Sequence, residues 1–252
     1  MMKTSLIVEA LNRFLQPENF KDYAPNGLQV EGALETSKVV CGVSASQALI
    51  DRAIEIGAQT IIVHHGYFWK SENPCITGIK KNRIQKLLSH NINLIAYHLP
   101  LDAHESIGNN ALLGKVLGVQ ESTPLEKTPL VRIGHFADPI TSQELYSRVT
   151  KALGREPSGV LLEDQTRLIQ SIAWCTGAAQ DFLEIASQAG AQAYLSGEIS
   201  ERTVLESREL DLPYYCVGHH ASETLGISAL AHWLQEQFSE LEVQFINIDN
   251  PA

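Results

Sequence analysis

Apolar runs of strand length alternate with segments of helical periodicity along almost the whole chain, and this alternation constrains the fold more than any other feature. Strands that alternate with helices are typical of βαβ units, in which a helix connects neighbouring parallel strands and covers the sheet. We therefore predict an α/β protein with a largely parallel sheet. The 252 residues, of which 44% are hydrophobic, are enough for one large domain or for two small ones.

The pattern can be divided into individual elements. Helices are predicted at 5–15, 46–56, 82–90, 109–117, 142–153, 179–189, 199–209 and 221–237. Strands are predicted at 38–44, 60–64, 93–97, 130–136, 168–175, 192–196, 214–217 and 242–248. Residues 119–129 contain two prolines and mixed charges, which favours a boundary there. We accordingly predict a first α/β half at 1–126 and a second at 127–252, and leave open that the C-terminal segment packs back on the first half.

A repeat relates the two halves. Residues 40–65 align with 173–198 without a gap and share six identities in 26 positions. This match alone could be coincidence, because a glycine that ends a helix before a strand is common. Each half also continues into an apolar strand that ends in the same pattern, His-x-x-x-carboxylate. We interpret the combination as an internal duplication.

Five of the nine histidines lie in motifs at the ends of three predicted strands. The carboxyl ends of strands are where open α/β sheets bind ligands. The candidate metal ligands in these motifs are His64, His65, His98, Asp102, His219 and Glu223.

Each motif has an ordinary alternative when it is taken alone. Adjacent residues of a strand point to opposite faces, so His64 and His65 can share a site only if the chain bends, which Gly66 would allow, or if the site straddles the end of the strand. The alternative is a pair of ordinary exposed or hydrogen-bonded imidazoles. Pro100 disfavours a helical conformation at residue 99, so residues 98–102 form a loop or the first turn of a helix, and Asp102 could be a helix N-cap. The helical i,i+4 spacing of His219 and Glu223 places both on one face.

The motifs taken together favour metal binding. Four imidazoles and two carboxylates are too many ligands for one tetrahedral zinc ion. They suit two divalent ions that share bridging ligands, as in two-metal hydrolytic sites. A mixed set of nitrogen and oxygen ligands is compatible with Zn, Fe, Mn, Ni or Co.

Charge and composition exclude several other classes of protein. The net charge is −10 and the basic residues are scattered, which argues against binding to nucleic acid. No 18 apolar residues run together, so we expect no membrane span, and the N-terminus lacks the pattern of a signal peptide. The four cysteines show no CxxC spacing and lie mostly in apolar runs. We therefore expect free thiols and a cytoplasmic location.

Several segments are similar to one known family. The chain resembles the NIF-three-like family, often named GTP cyclohydrolase I type 2 homologues, in DYAPNGLQVEG (22–32), IIVHHGYFWK (61–70), YHLPLDAH (97–104), SGEISE (196–201) and GHHASE (218–223). The resemblance runs essentially from end to end. It implies a dinuclear metal centre at the six candidate ligands, two intertwined α/β domains and a ring-like homohexamer.

Two functions remain open at this point. The first is a metal-dependent hydrolase that acts on a small anionic substrate, such as GTP or another phosphorylated compound. In the repeat, Glu198 takes the position of His65, so it is the candidate catalytic acid or base. The alternative is that Glu198 only stabilises the N-terminus of the predicted helix that follows, where acidic residues are favoured. Tyr67 and Lys70 are weaker candidates, since both can be exposed loop side chains. The second function is a scaffold or regulatory protein whose metals are not catalytic.

Overall fold

The structure, a computed structural model, describes residues 1–252 and divides into two compact units. The units are Met1–Leu101 with Gly226–Asp249, and Asp102–Leu225 with Asn250–Ala252. Gly226–Asp249 thus belongs to the same unit as the N-terminal strands and helices, whereas the last three residues belong to the second unit. These bounds differ from those of the predicted halves, 1–126 and 127–252. The division into halves describes the repeat in the sequence, and it stays a prediction.

The chain forms strands and helices along its whole length. The strands are β1 (Met2–Lys3), β2 (Gly27–Val30), β3 (Glu35–Thr36), β4 (Lys38–Ser44), β5 (Thr60–His65), β6 (Asn93–Ala96), β7 (Gln120–Leu125), β8 (Thr128–Thr141), β9 (Ser158–Val160), β10 (Leu168–Cys175), β11 (Ala193–Ser196), β12 (Tyr214–Cys216) and β13 (Glu242–Phe245). The α-helices are α1 (Thr4–Leu15), α2 (Gln47–Glu55), α3 (Gly78–Ser89), α4 (Leu99–Ala103), α5 (Asn109–Leu117), α6 (Ser142–Leu153), α7 (Leu183–Gln188), α8 (Glu201–Glu209), α9 (His219–Ser222) and α10 (Thr224–Gln237). None of these helices combines the length and the apolar character needed to cross a membrane.

The predicted α/β class is confirmed, although the sheets are mixed rather than largely parallel. Elements with strong local signals begin and end where the sequence predicts, and α6 shows why. The Thr141 hydroxyl accepts a hydrogen bond from the Glu144 N–H at the start of this helix, and Gly154 ends the helix in the left-handed conformation with φ 69°.

The first unit contains a five-stranded sheet with the order β13-β4-β5-β6-β2. The first four of these strands are parallel, and β2 pairs antiparallel with β6 at one edge. β1 and β3 form a separate antiparallel pair. In the central strands the side chains are buried on both faces, which agrees with their almost continuous apolar sequences.

The second unit contains a six-stranded sheet with the order β7-β8-β10-β11-β12-β9. Only β10, β11 and β12 are parallel to one another. Each unit therefore has three consecutive parallel strands that helices connect: β4, β5 and β6 in the first, and β10, β11 and β12 in the second. This shared succession is the arrangement that a duplication of residues 40–65 and 173–198 would produce.

Residues 119–129, where the sequence indicated a boundary, lie in an antiparallel pair of strands. β7 and β8 pair with each other, and both belong to the second unit. The proline in β7 is tolerated because this strand lies at the edge of the sheet, where a missing N–H breaks no ladder. The prolines and mixed charges of residues 119–129 therefore accompany an edge strand and its turn.

The core of the second unit lies on both faces of its sheet. Along β10, Ile172 and Trp174 pack in one apolar cluster, while Ala173 and Cys175 pack in another. This division follows from the alternation of side chains along a strand. Trp174 is fully buried, and its indole N–H donates to the Asn110 carbonyl oxygen at 2.8 Å.

We predict that Gly114→Ala destabilises the protein. Alanine normally stabilises a helix by about 1 kcal/mol relative to glycine. In α5, however, a methyl group at Gly114 would lie 2.4 Å from Cζ2 of the buried Trp174 ring. We expect this overpacking to lower the free energy of unfolding by about 1–3 kcal/mol, measured by urea denaturation. Lys115→Ala on the same helix is the control, and a stabilised Gly114→Ala protein would contradict the packing.

Candidate metal centre

His64 and His65 lie at the carboxyl end of β5, as the sequence predicts. Their ring centroids are 4.5 Å apart, so the two adjacent side chains reach the same region. The chain leaves the strand at Gly66, where a Cβ atom would lie 2.2 Å from Gln29 Oε1. Only glycine fits this close approach, and the same Gln29 oxygen accepts the Tyr67 N–H at 2.7 Å.

His98 follows the neighbouring strand β6 and joins these two histidines. Its ring centroid lies 5.2 Å from that of His64 and 5.8 Å from that of His65. One ring nitrogen of each histidine lies within 4.8 Å of one nitrogen of each of the others. The first unit therefore contains a group of three imidazoles, which we call the histidine cluster, with the spacing of metal ligands.

Hydrogen bonds at Nδ1 set the tautomer of these imidazoles. His64 Nδ1 donates to the Tyr97 carbonyl oxygen at 3.0 Å, and His98 Nδ1 donates to Asp22 Oδ1 at 2.7 Å. Nε2 then carries the lone pair in the neutral ring, which is the nitrogen a metal ion would bind. Nδ1 of His65 hydrogen-bonds with the Ser44 hydroxyl at 3.1 Å.

Asp22 is a functional candidate that the sequence did not single out. Its Oδ1 accepts from His98, and its Oδ2 accepts from Asn26 Nδ2 and from the Leu99 N–H, each at 2.9 Å. Burial raises the pKa of Asp22, but the hydrogen bonds from His98 and Asn26 outweigh it and lower the pKa to about 2. Asp22 opens the motif of residues 22–32, yet nothing in its spacing relates it to His98.

In the second unit, Asp102 lies in the short helix α4. Its side chain is buried, and its Oδ1 accepts hydrogen bonds from Asn109 Nδ2 at 2.9 Å and from the Thr176 hydroxyl at 3.3 Å. Thr176 follows the carboxyl end of β10, so Asp102 is oriented from a strand end. The sequence left open whether residues 98–102 form a loop or the first turn of a helix, and the structure places Asp102 in a helix.

His219 and Glu223 also lie in the second unit, after the end of β12. His219 begins α9, and Glu223 directly follows this one-turn helix, so that Nε2 of the imidazole and Oε2 of the carboxylate are 3.2 Å apart. Gly177 makes room for this pair, because a Cβ there would lie 2.4 Å from Glu223 Oε1. The i,i+4 proximity predicted from the spacing is present.

Glu198 orients His219 through a hydrogen bond, as Asp22 orients His98. It follows β11, and its Oε1 accepts from His219 Nδ1 at 2.7 Å. The next helix begins at Glu201 with Ser200 as its N-cap, so Glu198 lies outside the first turn. Burial opposes protonation of His219, but the hydrogen bonds and charges of Glu223 and Glu198 outweigh it and raise the pKa of His219 to about 9.

Two other candidates from the sequence hold the chain around the histidine cluster. Tyr67 is buried, donates its hydroxyl to the Ala45 carbonyl oxygen at 2.8 Å, and has a pKa raised by burial. Lys70 Nζ donates to the Asp22 carbonyl oxygen. The contacts of both side chains tie the loop after β5 to neighbouring parts of the first unit.

The donors of each unit fit divalent ions of the first transition row. Three neutral imidazoles match the ligand set of a zinc-type site. In the second unit, a carboxylate oxygen of Asp102 lies within 4.8 Å of one of Glu223, and both side chains are buried. Two buried carboxylates this close repel each other, which a cation would offset. Burial, with smaller contributions from these two charges, also raises the pKa of the Cys175 thiol.

Both units thus present histidines or carboxylates at the carboxyl ends of parallel strands, which defines an α/β protein with candidate metal ligands in each unit. The profile of the Duf34/NIF3 (NGG1p interacting factor 3) family matches residues 2–251, and the chain belongs to this family. The resemblance seen in the sequence motifs is confirmed.

Similar proteins match over the full length. A "GTP cyclohydrolase 1 type 2 homolog" of Vibrio cholerae is 48% identical and covers 98% of this chain and 99% of the relative. The protein of the same name from Escherichia coli K12 is 46% identical and covers both chains completely. Among solved structures, protein ybgI, described as of unknown function, has a TM-score of 0.93 at 46% identity with full coverage of both chains. TTHA1606 from Thermus thermophilus has a TM-score of 0.86 at 32% identity, covering 100% of this chain and 99% of that one.

We predict that Asp22→Asn weakens metal binding without unfolding the protein. Asparagine keeps the size but places an amide donor against His98 Nδ1, Asn26 Nδ2 or the Leu99 N–H. Loss of such an orienting carboxylate typically costs about 10–100-fold in metal affinity. Titration of the stripped protein with Zn²⁺ measures this change, with circular dichroism to check the fold.

The control is Asp51→Asn, since Asp51 pairs with Lys86 on the outside of the first unit. Its metal affinity should equal that of the unmodified protein. Equal affinities for Asp22→Asn and Asp51→Asn would show that Asp22 has no role in orienting His98.

Proposed function

We propose that this protein is a metal-dependent hydrolase that acts on a nucleotide or another small phosphorylated compound. In this proposal two divalent ions are held by six ligands, which are His64, His65, His98, Asp102, His219 and Glu223. Zn, Fe, Mn, Ni and Co all remain compatible with this mixture of nitrogen and oxygen donors.

The observation that carries the proposal is the histidine cluster with its hydrogen bonds at Nδ1. A histidine that binds a metal ion almost always donates its other ring N–H to a carboxylate, a backbone carbonyl or water, which fixes the orientation of the ring. His98 and His219 each give Nδ1 to a carboxylate at 2.7 Å, in different units and with different partners, Asp22 and Glu198. The same device beside two predicted ligands favours metal binding over ordinary imidazole packing.

Divalent ions would supply Lewis acidity and a water of lowered pKa at neutral pH. Two such ions with the carboxylates of Asp102 and Glu223 give a formal charge of about +2. In the first unit, Asp22 adds a negative charge beside His98 and Lys70 adds a positive charge beside Asp22. In the second unit, Glu198 adds a negative charge beside His219. Anion binding would therefore depend on direct contact with the centre more than on long-range attraction.

The relatives named "GTP cyclohydrolase 1 type 2 homolog" support a purine nucleotide as one substrate to consider. In a cyclohydrolase reaction, water adds to the carbon of the purine imidazole ring, and an acid must protonate the departing ring nitrogen. We assign this proton transfer to Glu198. Its side chain is 44% exposed, so substrate could reach the carboxylate, and His219 holds its Oε1 in place.

Assembly and location belong to the same proposal. We propose a ring-like homohexamer, a cytoplasmic location and a small anionic partner, all supported by the resemblance of the motifs and by the composition of the chain. A non-catalytic metal-binding scaffold or regulatory protein is the alternative, and the experiments below separate it from a hydrolase.

The metal content tests the ligand assignment. After reconstitution, elemental analysis should find up to about two first-row ions per chain. Asp102→Ala and Glu223→Ala should each lower this occupancy and leave the protein folded, because the ligands lie at strand ends away from the centre of the apolar core. Asp138→Ala, which removes an exposed acid on β8, is the control. A saturation value near zero, or normal occupancy in both variants, would refute the assignment.

Hydrolysis tests the role of Glu198. Metal-loaded protein should turn over GTP or a member of a panel of nucleotides and phosphoesters, and stripped protein should not. Glu198→Gln should keep both metals and lose on the order of 10²-fold or more in turnover, since glutamine removes the titratable group. Glu201→Gln, in the first turn of α8, is the matched control.

Three outcomes would redirect the proposal. Activity that survives removal of the metals would reject metal catalysis. Full activity of Glu198→Gln would leave that residue as a support for His219. If well-metallated protein turns over no member of the panel, the scaffold becomes the better account.

A further inference from the structure

Two aromatic side chains flank one member of the histidine cluster. The Trp69 ring centroid lies 4.9 Å from that of His98, with the planes at 82°, and 5.9 Å from that of His65. The Tyr23 ring lies on a different loop, with its centroid 6.3 Å from that of His98. Both distances are within the range of direct contact between aromatic rings.

The two loops that carry these rings are bonded to each other. The Lys70 N–H donates to the Tyr23 carbonyl oxygen at 2.8 Å, and Lys70 Nζ donates to the Asp22 carbonyl oxygen. Asp22, next to Tyr23, is itself bonded to His98. The backbone on which both rings stand is thus positioned by the residues that orient the histidine.

The loop that carries Trp69 holds a strained conformation. Phe68 has φ 64°, in the left-handed region that bulky side chains avoid. The strain is held by local bonds, since the Phe68 N–H donates to Glu72 Oε1 at 3.0 Å. Such strain persists where the surrounding structure fixes it, and it is frequent at ligand sites.

The polar group of Trp69 is used within the loop. Its indole N–H donates to the Gly66 carbonyl oxygen at 3.2 Å, which fixes the orientation of this half-buried ring. Tyr23 is 63% exposed, so a large part of its aromatic ring is in contact with water beside the candidate metal ligand His98. A planar ring would cover this surface by stacking, as bases do on aromatic side chains.

We propose that Tyr23 and Trp69, together called the aromatic wall, bind a planar heterocyclic ring of the substrate directly beside the histidine cluster. This inference rests on the proposed function and names the part of the substrate that lies at the metals. Because the Trp69 and Tyr23 ring centroids lie 4.9 Å and 6.3 Å from that of His98, a ring stacked on either side chain would lie closer to His98 than a phosphate joined to that ring through ribose. The wall therefore selects for reaction at the heterocycle rather than at the phosphate.

Calorimetric titration of the metal-loaded protein tests this inference with three probes: guanosine, guanosine 5′-monophosphate and ribose 5-phosphate. Guanosine and its monophosphate should bind with affinities within a few fold of each other. Ribose 5-phosphate, which lacks the ring, should bind at least about 10-fold more weakly, the size expected for loss of one stacked base. Binding of guanosine should also quench the fluorescence of Trp69.

Substitutions in the aromatic wall give an independent readout. Tyr23→Leu and Trp69→Leu should each weaken guanosine binding by about 10-fold and leave ribose 5-phosphate binding unchanged. Tyr23→Phe and Trp69→Phe keep an aromatic face and should retain most of the affinity. Elemental analysis of every variant separates a loss of stacking from a loss of metal.

The comparison of probes on the unmodified protein needs no variant and decides the outcome by itself. Equal binding of ribose 5-phosphate and guanosine 5′-monophosphate, or no binding of guanosine, overturns the inference even if the metals and phosphoester hydrolysis are intact. Guanosine binding that depends on the aromatic wall, without turnover of any substrate, supports the inference and contradicts the proposed hydrolase.

Discussion

An imidazole binds a metal ion only through a nitrogen that carries no proton, so the hydrogen bond at the other nitrogen decides where the ligand atom points. In this protein the constraint falls on Asp22 and Glu198, which accept from Nδ1 of His98 and His219. Asp22 has a second role, since the same carboxylate accepts a hydrogen bond from the Leu99 N–H at the start of α4. One buried acid thereby fixes a ring and begins a helix.

The parts of the fold and of the candidate centre that could be predicted are those with local causes. The apolar run before His64 and His65 specifies a buried strand, and the two histidines at its carboxyl end have ring centroids 4.5 Å apart. The i,i+4 spacing of His219 and Glu223 likewise depends only on one helical turn. For such features, a few consecutive residues contain the whole physical argument.

The other features depend on residues far apart in the chain. Asp22 reaches His98 from another loop, and neither residue has a neighbour that indicates the other. Proline at position 100 left both a loop and the first turn of a helix open after His98, and α4 includes this proline because its missing N–H costs nothing in the first turn of a helix. Residues 119–129 had the composition of a linker, and their role as strands depends on the partners they find in the sheet.

The first sheet has a strand from the far end of the chain, since β13 pairs in parallel with β4. A ribosome releases β4 long before β13, and residues 102–225 of the second unit are made in the interval. Until then β4 presents an unpaired edge, which other chains could use for aggregation. The protein therefore depends on late chain closure for a complete sheet, and its first unit cannot mature as an independent product of early translation.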